Sequence, residues 1–381
     1  MFGSRERFTL FVVCCAVACP VCLEAEQVPK QFREKFSESF AIRRQQHLEV
    51  KDYVDKLIAE RKEQSLNSFK PDYSSIAQYE KSLTPYRERH SRNLGYPPPR
   101  AVEGAKPKFL YVGKDAVCTI YRMWVEVAEG VRAYGLYMVP HNIDDKAPLL
   151  ICEHGGGGNP EAICDLDTRV NYHSMGHEAV KRGYIVWAPG LIMRCVYGGD
   201  PAIEGAERGL FDRRLKLLGT GIIGLELHMI IESTKALIRH RPEIDADRVA
   251  MTGLSWGGYY ALHTAALFPL IKVTVPSANF REHAAVLGRV DDPQKRVDGS
   301  IFRLFGDAQV VGMVCPRPVM IQMGEKDTLF DLEGARREAK KAARHYEKLG
   351  IADSFEFSVH PGGHVFEIES IFNFLDKHLG K

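Results

Sequence analysis

The chain has 381 residues, of which 45% are hydrophobic and 26% charged, and this composition predicts an ordinary globular protein with a sizeable core. Its formal net charge at pH 7 is only +2, so charge gives no reason to expect nucleic acid or an anionic membrane as a partner.

The first 25 residues are the most strongly biased segment. Arg5 and Arg7 form a basic start, residues 8–18 are apolar, and Leu-Glu-Ala at 23–25 offers a processing site. The apolar stretch is shorter than the roughly 20 residues that a membrane-spanning helix needs. Residues 1–25 therefore predict a secretory signal peptide on a secreted or periplasmic protein without a membrane span. A buried N-terminal helix is the alternative.

Cysteine usage argues against both a metal site and a disulfide scaffold. Four of the nine cysteines lie in this leader, and the spacing of the other five matches no metal-binding pattern. Those five are Cys118, Cys152, Cys164, Cys195 and Cys315. If one bridge forms, Cys164–Cys195 is the expected pair, because both residues fall in loop-like sequence. In the leader, Ala-Val-Ala-Cys at 16–19 weakly resembles a lipoprotein cleavage box, which would leave Cys19 lipidated.

Residues 26–107 are polar, charged and rich in helix-favouring types. Apolar residues recur at helical spacing around Val50 and Val54, and Gly-Tyr-Pro-Pro-Pro at 95–99 marks a stop and a linker. The segment predicts a helical N-terminal extension packed on a main domain at 108–381.

Strands dominate the opening of the main domain. Segments 117–127 and 131–139 carry β-branched and aromatic residues and predict an antiparallel pair. Short apolar strands then alternate with helices, which predicts a mostly parallel sheet with helices on both faces. Residues 279–312 lack a clean pattern and predict an excursion above the sheet. The predicted strands are 149–152, 184–188, 249–252, 272–275, 319–323 and 355–359, and the predicted helices lie near 176–182, 223–240, 256–268, 333–349 and 366–378.

The most informative motif is Gly-Leu-Ser-Trp-Gly-Gly at 253–258. It has the form G-x-S-x-G between an apolar strand and a helix, the context in which the serine stands on a tight turn as a nucleophile. Flanking glycines let the strand and the helix pass close together. The motif predicts Ser255 as the nucleophile, and a tight turn without catalytic function is the alternative.

A serine hydroxyl needs a base to take its proton, and an imidazole oriented by an acid does this best near neutral pH. In this architecture the chain order is Ser, acid, His, each on a loop that leaves a strand. Asp327 and His364 occupy those two loops and are the predicted acid and base. Glu325 is the alternative acid, and His360, which directly continues its strand, is expected to be structural.

Acyl transfer also requires N–H donors for the developing oxyanion. The backbone N–H of Trp256, the residue after the nucleophile, is the first predicted donor. The second is predicted in His-Gly-Gly-Gly-Gly at 154–158, which follows the strand at 149–152 as in the H-G-G-G turns of esterases. The sequence does not choose between Gly155 and Gly156, and a flexible linker is the alternative for this run.

Other features favour structural functions. His173 and His177 have the spacing of a helical metal pair but lack acidic partners, so we expect a loop or ordinary hydrogen bonding. Residues 333–348 alternate in charge and predict a solvated helix face. Residues 245–248 should organise the turn before the nucleophile strand through side-chain hydrogen bonds. Neither nucleotide-binding glycine pattern occurs, and we expect no metal and no cofactor.

These motifs resemble the α/β-hydrolase superfamily over roughly Phe109 to Leu379. Within it, the likeness is greatest to the dienelactone hydrolase-like and acetyl xylan esterase-like branch, and the helical prelude is similar to that of its secreted bacterial esterases. The motifs that carry the resemblance lie at 154–157, 242–249, 253–258, 324–327 and 362–364. Dienelactone hydrolases proper use a cysteine nucleophile and a shorter chain, so the serine here favours ester hydrolysis.

The resemblance implies an α/β-hydrolase fold with Ser255, Asp327 and His364 as the catalytic triad. It implies a secreted serine carboxylesterase that acts on a small-molecule or polysaccharide ester, with deacetylation of polysaccharide resting on the analogy alone. Two alternatives remain. Prolyl oligopeptidase-type peptidases share the C-terminal motifs but carry a β-propeller, which an extension of about 80 residues cannot form. Non-catalytic scaffolds of this fold usually lose a triad member.

Overall fold

The computed structural model describes residues 30–143, 145–166, 171–192, 205–282 and 305–380, and the chain forms two compact units, 1–56 and 57–381. The predicted signal peptide, the lipidation candidate Cys19 and the disulfide candidate Cys195 lie outside the described residues. Within the described ranges, no helix combines the length and the apolar character that crossing a membrane requires.

The first unit contains a short 3₁₀ turn, Phe36–Ser39, and the beginning of helix α1, Phe40–Ser68. The helix indicated by the spacing of Val50 and Val54 is present. Both side chains are exposed, however, so the helical spacing here does not mark a buried face.

The second unit is built on a nine-stranded sheet with the order β1-β2-β3-β5-β4-β6-β7-β8-β9. The strands are β1 (Lys108–Lys114), β2 (Cys118–Ala128), β3 (Val131–Pro140), β4 (Ala147–Glu153), β5 (Ile185–Pro189), β6 (Ile244–Leu254), β7 (Val273–Ser277), β8 (Val319–Gly324) and β9 (Phe355–His360). Strands β1 to β3 pair antiparallel, β3 joins β5 antiparallel, and the remaining pairs are parallel. The mostly parallel sheet and its antiparallel opening pair are confirmed, and β1 is an edge strand that the sequence pattern missed.

Helices connect the strands. They are α2 (Ile76–Ser82), α3 (Thr84–Leu94), α4 (Pro160–Ile163), α5 (Met175–Lys181), α6 (Gly205–Leu217), α7 (Ile222–His240), α8 (Trp256–Leu267), α9 (Asp307–Val314), α10 (Leu332–Lys348) and α11 (Ile368–Leu379), with a 3₁₀ turn at Ala352–Ser354. The five predicted helices are confirmed. The predicted excursion at 279–312 is wrong at its end, because α9 begins at Asp307. All residues of α9 are buried, so it has no amphipathic period from which to predict it.

The core lies on both faces of the sheet. In β4, Leu149 and Ile151 belong to one buried cluster and Leu150 and Cys152 to the other, because successive side chains of a strand point to opposite faces. Helices α7, α8 and α10 contribute to the first cluster, and α5 and α11 to the second. Parallel strands covered on both faces read as continuous apolar runs, which is why these strands were predictable.

Helix α10 separates its two faces clearly. Its buried residues recur at helical spacing and, apart from Glu338, are small or aromatic, whereas its lysines and arginines are exposed or partly exposed. The predicted solvated face is confirmed. The buried residues of α10 are Gly334, Ala335, Glu338, Ala339, Ala342 and Tyr346.

Side-chain hydrogen bonds join α2 and α3 to the helices beside the sheet. The Tyr79 hydroxyl donates to the Gly312 carbonyl oxygen (2.7 Å), and Arg87 donates to that of Met313 (2.6 Å). Nε2 of His90 lies 2.8 Å from Nδ1 of His263 in α8, and both rings are buried. These helices are therefore integral to the second unit.

Two local predictions need correction. Residues 245–248 lie inside β6 rather than before it, although the expected side-chain bonds are present: Asp245 accepts from the Asp247 N–H (3.0 Å) and from Arg248 Nε (2.6 Å). Cys195 lies outside the described residues, and Cys164, the other half of the expected bridge, is a free, fully buried thiol. Its loop-like sequence misled the prediction because the segment packs into the core.

Candidate active site

Ser255 stands between the end of β6 and the first residue of α8 in a conformation that few residues other than glycine adopt. Its backbone angles are φ 61° and ψ −119°. Such strain costs about 1–3 kcal/mol and persists only where neighbours enforce it. Here the Ser255 N–H donates to the Ser277 carbonyl (2.8 Å), and the Ser255 carbonyl accepts from the Tyr259 N–H (3.0 Å) and from Nδ2 of Asn279 (2.7 Å). The turn has the geometry of a nucleophile elbow.

Close approach of the backbone explains the glycines of the motif. A Cβ at Gly253 would overlap the carbonyl group of Gly257, and a Cβ at Gly257 would overlap that of Glu153 at the end of β4. Helix α8 can therefore start directly above the sheet only when these positions lack side chains.

Asp327 and His364 are in direct contact although 37 residues separate them in the chain. Oδ2 of Asp327 lies 2.8 Å from Nδ1 of His364, and their side chains are 0% and 19% exposed. With Nδ1 facing the carboxylate, the neutral ring carries its proton there and leaves Nε2 as an acceptor. The loops themselves are joined, since the Lys326 N–H donates to the Gly362 carbonyl (2.9 Å). Asn171 Nδ2 donates to the His364 carbonyl (3.0 Å).

The pKa of Asp327 is held below its ordinary value. Burial alone would raise this pKa, but hydrogen bonds from His364 and from the backbone N–H of Leu329 outweigh the burial. Asp327 is therefore a carboxylate at neutral pH, able to stabilise an imidazolium on His364. The alternative acid, Glu325, is exposed. His360 is buried, and its Nδ1 accepts from the Gly362 N–H (3.2 Å) within the turn.

The three candidate residues follow the carboxyl ends of β6, β8 and β9, with β7 between β6 and β8. In open parallel sheets this edge is where ligands bind. The glycine run after β4 reaches the same place, because a Cβ at Gly155 would lie 3.3 Å from Cβ of Ser255.

The candidate oxyanion donors are not equivalent. The N–H of Gly155 donates to the Tyr172 hydroxyl (2.8 Å), and its carbonyl accepts from Nδ1 of His154 (2.9 Å). Gly155 is thus engaged through both backbone groups, and Gly156 remains the candidate of the two. Trp256 is the first residue of α8 and directly follows Ser255.

Sequence analysis missed two residues beside His364. The ring of Phe330, on the loop after β8, is parallel to the His364 ring within 2°, with centroids 5.7 Å apart. Cζ of Arg281 lies 4.7 Å from the Phe330 centroid. Arg281 also donates to Oδ1 of Asn279 (2.9 Å), whose amide nitrogen holds the Ser255 carbonyl. No motif in the sequence indicates these contacts.

The loop after β5 is anchored by buried polar groups. Nε2 of His154 accepts from the Leu191 N–H (3.0 Å), and Oε1 of Glu226 accepts from that of Ile192 (2.7 Å). Arg208 donates to both carboxylate oxygens of Glu226 at 2.6 and 2.7 Å, and Glu226 is 1% exposed. Helix α6, which carries Arg208, therefore fastens this loop beside the glycine run.

One group of side chains has the donor types of a metal site. Asp115, Cys118 and His177 offer ligand atoms within 4.8 Å of one another. Asp115 already accepts a bond from the His177 ring at 2.7 Å and bonds from the Val117 and Cys118 N–H groups. Hydrogen bonding accounts for the cluster, as expected for His177, but the ring does have an acidic partner, Asp115, which the sequence did not indicate. His173 lies in the turn before α5 and not on the same helix.

Comparisons with known proteins agree with this architecture. Residues 111–294 match the family model described as Acetyl xylan esterase (AXE1), a range that includes Ser255 but ends before Asp327 and His364. A Bacillus subtilis (strain 168) protein, named provisionally as the hydrolase YtaP, is 26% identical over 243 residues, which cover 61% of this chain and 78% of that protein.

Two solved structures are similar in fold. A Bacteroides fragilis protein, described provisionally as an acetyl xylan esterase, is 17% identical with a TM-score of 0.61, covering 77% of this chain and 80% of its own. A glucuronoyl esterase from Solibacter usitatus is 15% identical with a TM-score of 0.57, covering 82% of this chain and 97% of its own. Together with the sheet order and the strand-end site, these matches show that the chain has an α/β-hydrolase fold.

Proposed function

We propose that this protein is a serine carboxylesterase that hydrolyses carboxylic esters through an acyl-enzyme. The observation that carries the proposal is the 2.8 Å contact between Asp327 and His364 at the sheet edge where Ser255 stands on its strained turn. The match to the acetyl xylan esterase family supports ester hydrolysis as the reaction class.

In the acylation step, Oγ of Ser255 attacks the ester carbonyl carbon while Nε2 of His364 takes the hydroxyl proton. Asp327 stabilises the resulting imidazolium. When the tetrahedral intermediate collapses, the carbon–oxygen bond to the alcohol breaks and His364 returns its proton to the leaving oxygen. In deacylation, water attacks the acyl-enzyme, gives one proton to His364, and Ser255 leaves with that proton as the acid is released.

The oxyanion of each tetrahedral intermediate needs two N–H donors, and removal of one such donor costs about 10²–10³ in kcat. We assign the first to Trp256. We assign the second to Gly156, because the N–H of Gly155 is donated to Tyr172.

The proposed substrates are O-acyl groups, acetyl above all, on a small molecule or a polysaccharide. Acetyl esters on sugars are neutral groups on exposed chains, and a net charge of +2 permits such a substrate. The support is the acetyl xylan esterase family match at 111–294.

Two other functions are less well supported. A prolyl oligopeptidase-like peptidase would carry a β-propeller, whereas the described residues before β1 form helices α1, α2 and α3. A non-catalytic scaffold would usually lack a member of the triad, and here all three positions are filled.

A fluorophosphonate probe tests the nucleophile. The wild-type protein should be labelled on Ser255 and lose ester hydrolysis in parallel, whereas Ser255→Ala should show neither labelling nor activity. Ser74→Ala, at an exposed serine, is the matched control and should behave as wild type. Folded wild-type protein that does not react would favour the scaffold.

A substrate panel separates esterase from peptidase. We expect hydrolysis of p-nitrophenyl acetate and release of acetate from acetylated xylan, with no cleavage of dipeptide amides. Cleavage of the amides at comparable kcat/KM would favour the peptidase.

We further propose that the protein is exported. Expression of the full chain in a bacterium, followed by N-terminal sequencing of the protein outside the cytoplasm, should place the new terminus at Glu26. A terminus at a lipidated Cys19 would instead establish the lipoprotein alternative, and retention of Met1 would contradict export.

A further inference from the structure

Arg281 is tied to the nucleophile by a short relay of hydrogen bonds. Its NH2 group donates to Oδ1 of Asn279 at 2.9 Å, and Nδ2 of Asn279 donates to the Ser255 carbonyl at 2.7 Å. The backbone N–H of Arg281 donates to Oδ2 of Asp307 at 2.8 Å, at the start of α9. Hydrogen bonds therefore hold both the backbone and the head group of Arg281, the head group through Asn279, which contacts Ser255.

A second contact ties Arg281 to the base. Its guanidinium carbon lies 4.7 Å from the centroid of Phe330, and the Phe330 ring is parallel to that of His364 at a centroid distance of 5.7 Å. A flat guanidinium on an aromatic face keeps its edge N–H groups available for a planar acceptor. Arg281 thus contacts Asn279, which is hydrogen-bonded to the nucleophile, and Phe330, which is stacked on the base.

The charge of Arg281 is not neutralised by an ion pair. Among the residues that the structure describes, no carboxylate lies at ion-pair distance from its guanidinium, and its head group donates only to the neutral amide of Asn279. Arg208 pairs with Glu226 and Arg241 with Glu243, whereas Arg87 and Arg317 donate to backbone carbonyl oxygens instead of a carboxylate. Among the described residues, Asp307 and Tyr259 are the titratable groups whose charge acts on Arg281.

Leaving a partly buried cation without a counter-ion is unfavourable, because desolvation is not repaid by a partner. A ligand carboxylate would supply that partner and could accept two N–H bonds from the guanidinium edge. We propose that Arg281 binds a carboxylate of the substrate, so that the preferred substrate is an acyl ester on an acidic sugar such as a uronic acid. This inference rests on the proposed esterase function and specifies its substrate class.

The test compares two substrates that differ only in one carboxylate: an O-acetylated methyl glucuronoside and the O-acetylated methyl glucoside. The wild-type protein should favour the acidic sugar by about 10-fold to 100-fold in kcat/KM, mainly through KM, as one charge-assisted pair would provide. Arg281→Gln should remove this preference while Arg281→Lys keeps part of it. Arg337→Gln, which changes an arginine paired with Glu282, is the matched control and should keep the full preference.

Three results would overturn the assignment. The wild-type protein could show no preference, Arg281→Gln could slow both substrates equally, or Arg281→Lys could behave as Arg281→Gln does. Equal slowing would mean that Arg281 only positions Asn279 and Phe330.

A binding measurement separates this inference from the proposed function. Glucuronate should bind Ser255→Ala protein in calorimetry more tightly than glucose does, and adding Arg281→Gln should abolish the difference. That outcome would support the carboxylate site even if no ester were hydrolysed. Hydrolysis of both sugars at equal rates, without glucuronate binding, would leave the esterase intact and reject the carboxylate site. Sulfate binding as tight as glucuronate binding would also reject it.

Discussion

The rings of Phe330 and His364 lie parallel within 2°, with their centroids 5.7 Å apart. The imidazole is therefore held on two sides: Asp327 fixes its edge through a hydrogen bond, and Phe330 supports its face. The base must face the nucleophile in one step and the leaving group or water in the next. Its ring needs a fixed orientation, because a small misplacement of a catalytic group lowers the reaction rate strongly.

Phe330→Leu should lower kcat about 10-fold with little change in KM, because leucine keeps apolar volume but not the flat support of the imidazole. The measurement is steady-state hydrolysis of p-nitrophenyl acetate across pH. Leu329→Ala, at a neighbouring side chain that is 68% exposed, is the control and should leave kcat unchanged. A change confined to KM would show that Phe330 binds substrate rather than positioning His364.

Asp327→Asn should reduce kcat by about 10⁴-fold, the loss expected when the acid of a Ser-His-Asp triad becomes a neutral amide. The amide can no longer stabilise the imidazolium, and it disfavours the required tautomer. Glu325→Gln changes an exposed carboxylate one loop position away and should retain activity. If the two variants exchanged these phenotypes, Glu325 would be the acid.

Burial and the nearby Lys348 ammonium lower the pKa of His345 in α10 from 6.5 to about 4. The folded-state pKa lies below the unfolded one, so His345 contributes stability above pH 6.5 and loses it as pH falls toward 4. The shift corresponds to about 3 kcal/mol. In urea unfolding, the free energy of unfolding of wild type, measured relative to that of His345→Gln, should decrease by about 3 kcal/mol as the pH falls from 6.5 to 4.

His345→Gln keeps a polar partner for the Tyr73 hydroxyl, which lies 2.7 Å from Nδ1 of His345. His47→Gln, at an exposed histidine of α1, is the control and should track wild type at every pH. Parallel stability curves for wild type and His345→Gln would contradict the prediction.

Gly257→Ala should destabilise the protein by more than about 3 kcal/mol or prevent folding, because its Cβ would overlap the backbone of Glu153. Gly209→Ala is the matched helical control. Its Cβ would meet only the flexible tip of Arg213 at 3.7 Å, and it should stabilise α6 by up to about 1 kcal/mol. The measurement is urea unfolding, and similar midpoints for the two variants would refute the close packing of α8 on β4.

Some features were predictable because their cause is local. The segments predicted as parallel strands are mostly apolar, since helices cover both faces, and the five predicted helices followed from amphipathic spacing or from the glycine elbow. Helix α9 was not predicted because it is buried on every side and so shows no amphipathic spacing. Helix α6 was not predicted either. One of its charged residues, Arg208, pairs with Glu226 on another helix, and a sequence pattern within α6 does not reveal that contact.

By itself, the sequence determined the parallel sheet and the strand-end positions of Ser255, Asp327 and His364, because strand period, glycine placement and motif order are properties of neighbouring residues. Only the tertiary structure decided that Phe330 supports the His364 ring, that Arg281 reaches the same stack, and that Gly155 gives its N–H to Tyr172. The contacts of Phe330 and Arg281 join loops that follow different strands, and their geometry depends on how β7, β8 and β9 align in the sheet rather than on any local pattern. The Gly155–Tyr172 bond joins two points 17 residues apart in the connection between β4 and β5, which no local pattern brings together.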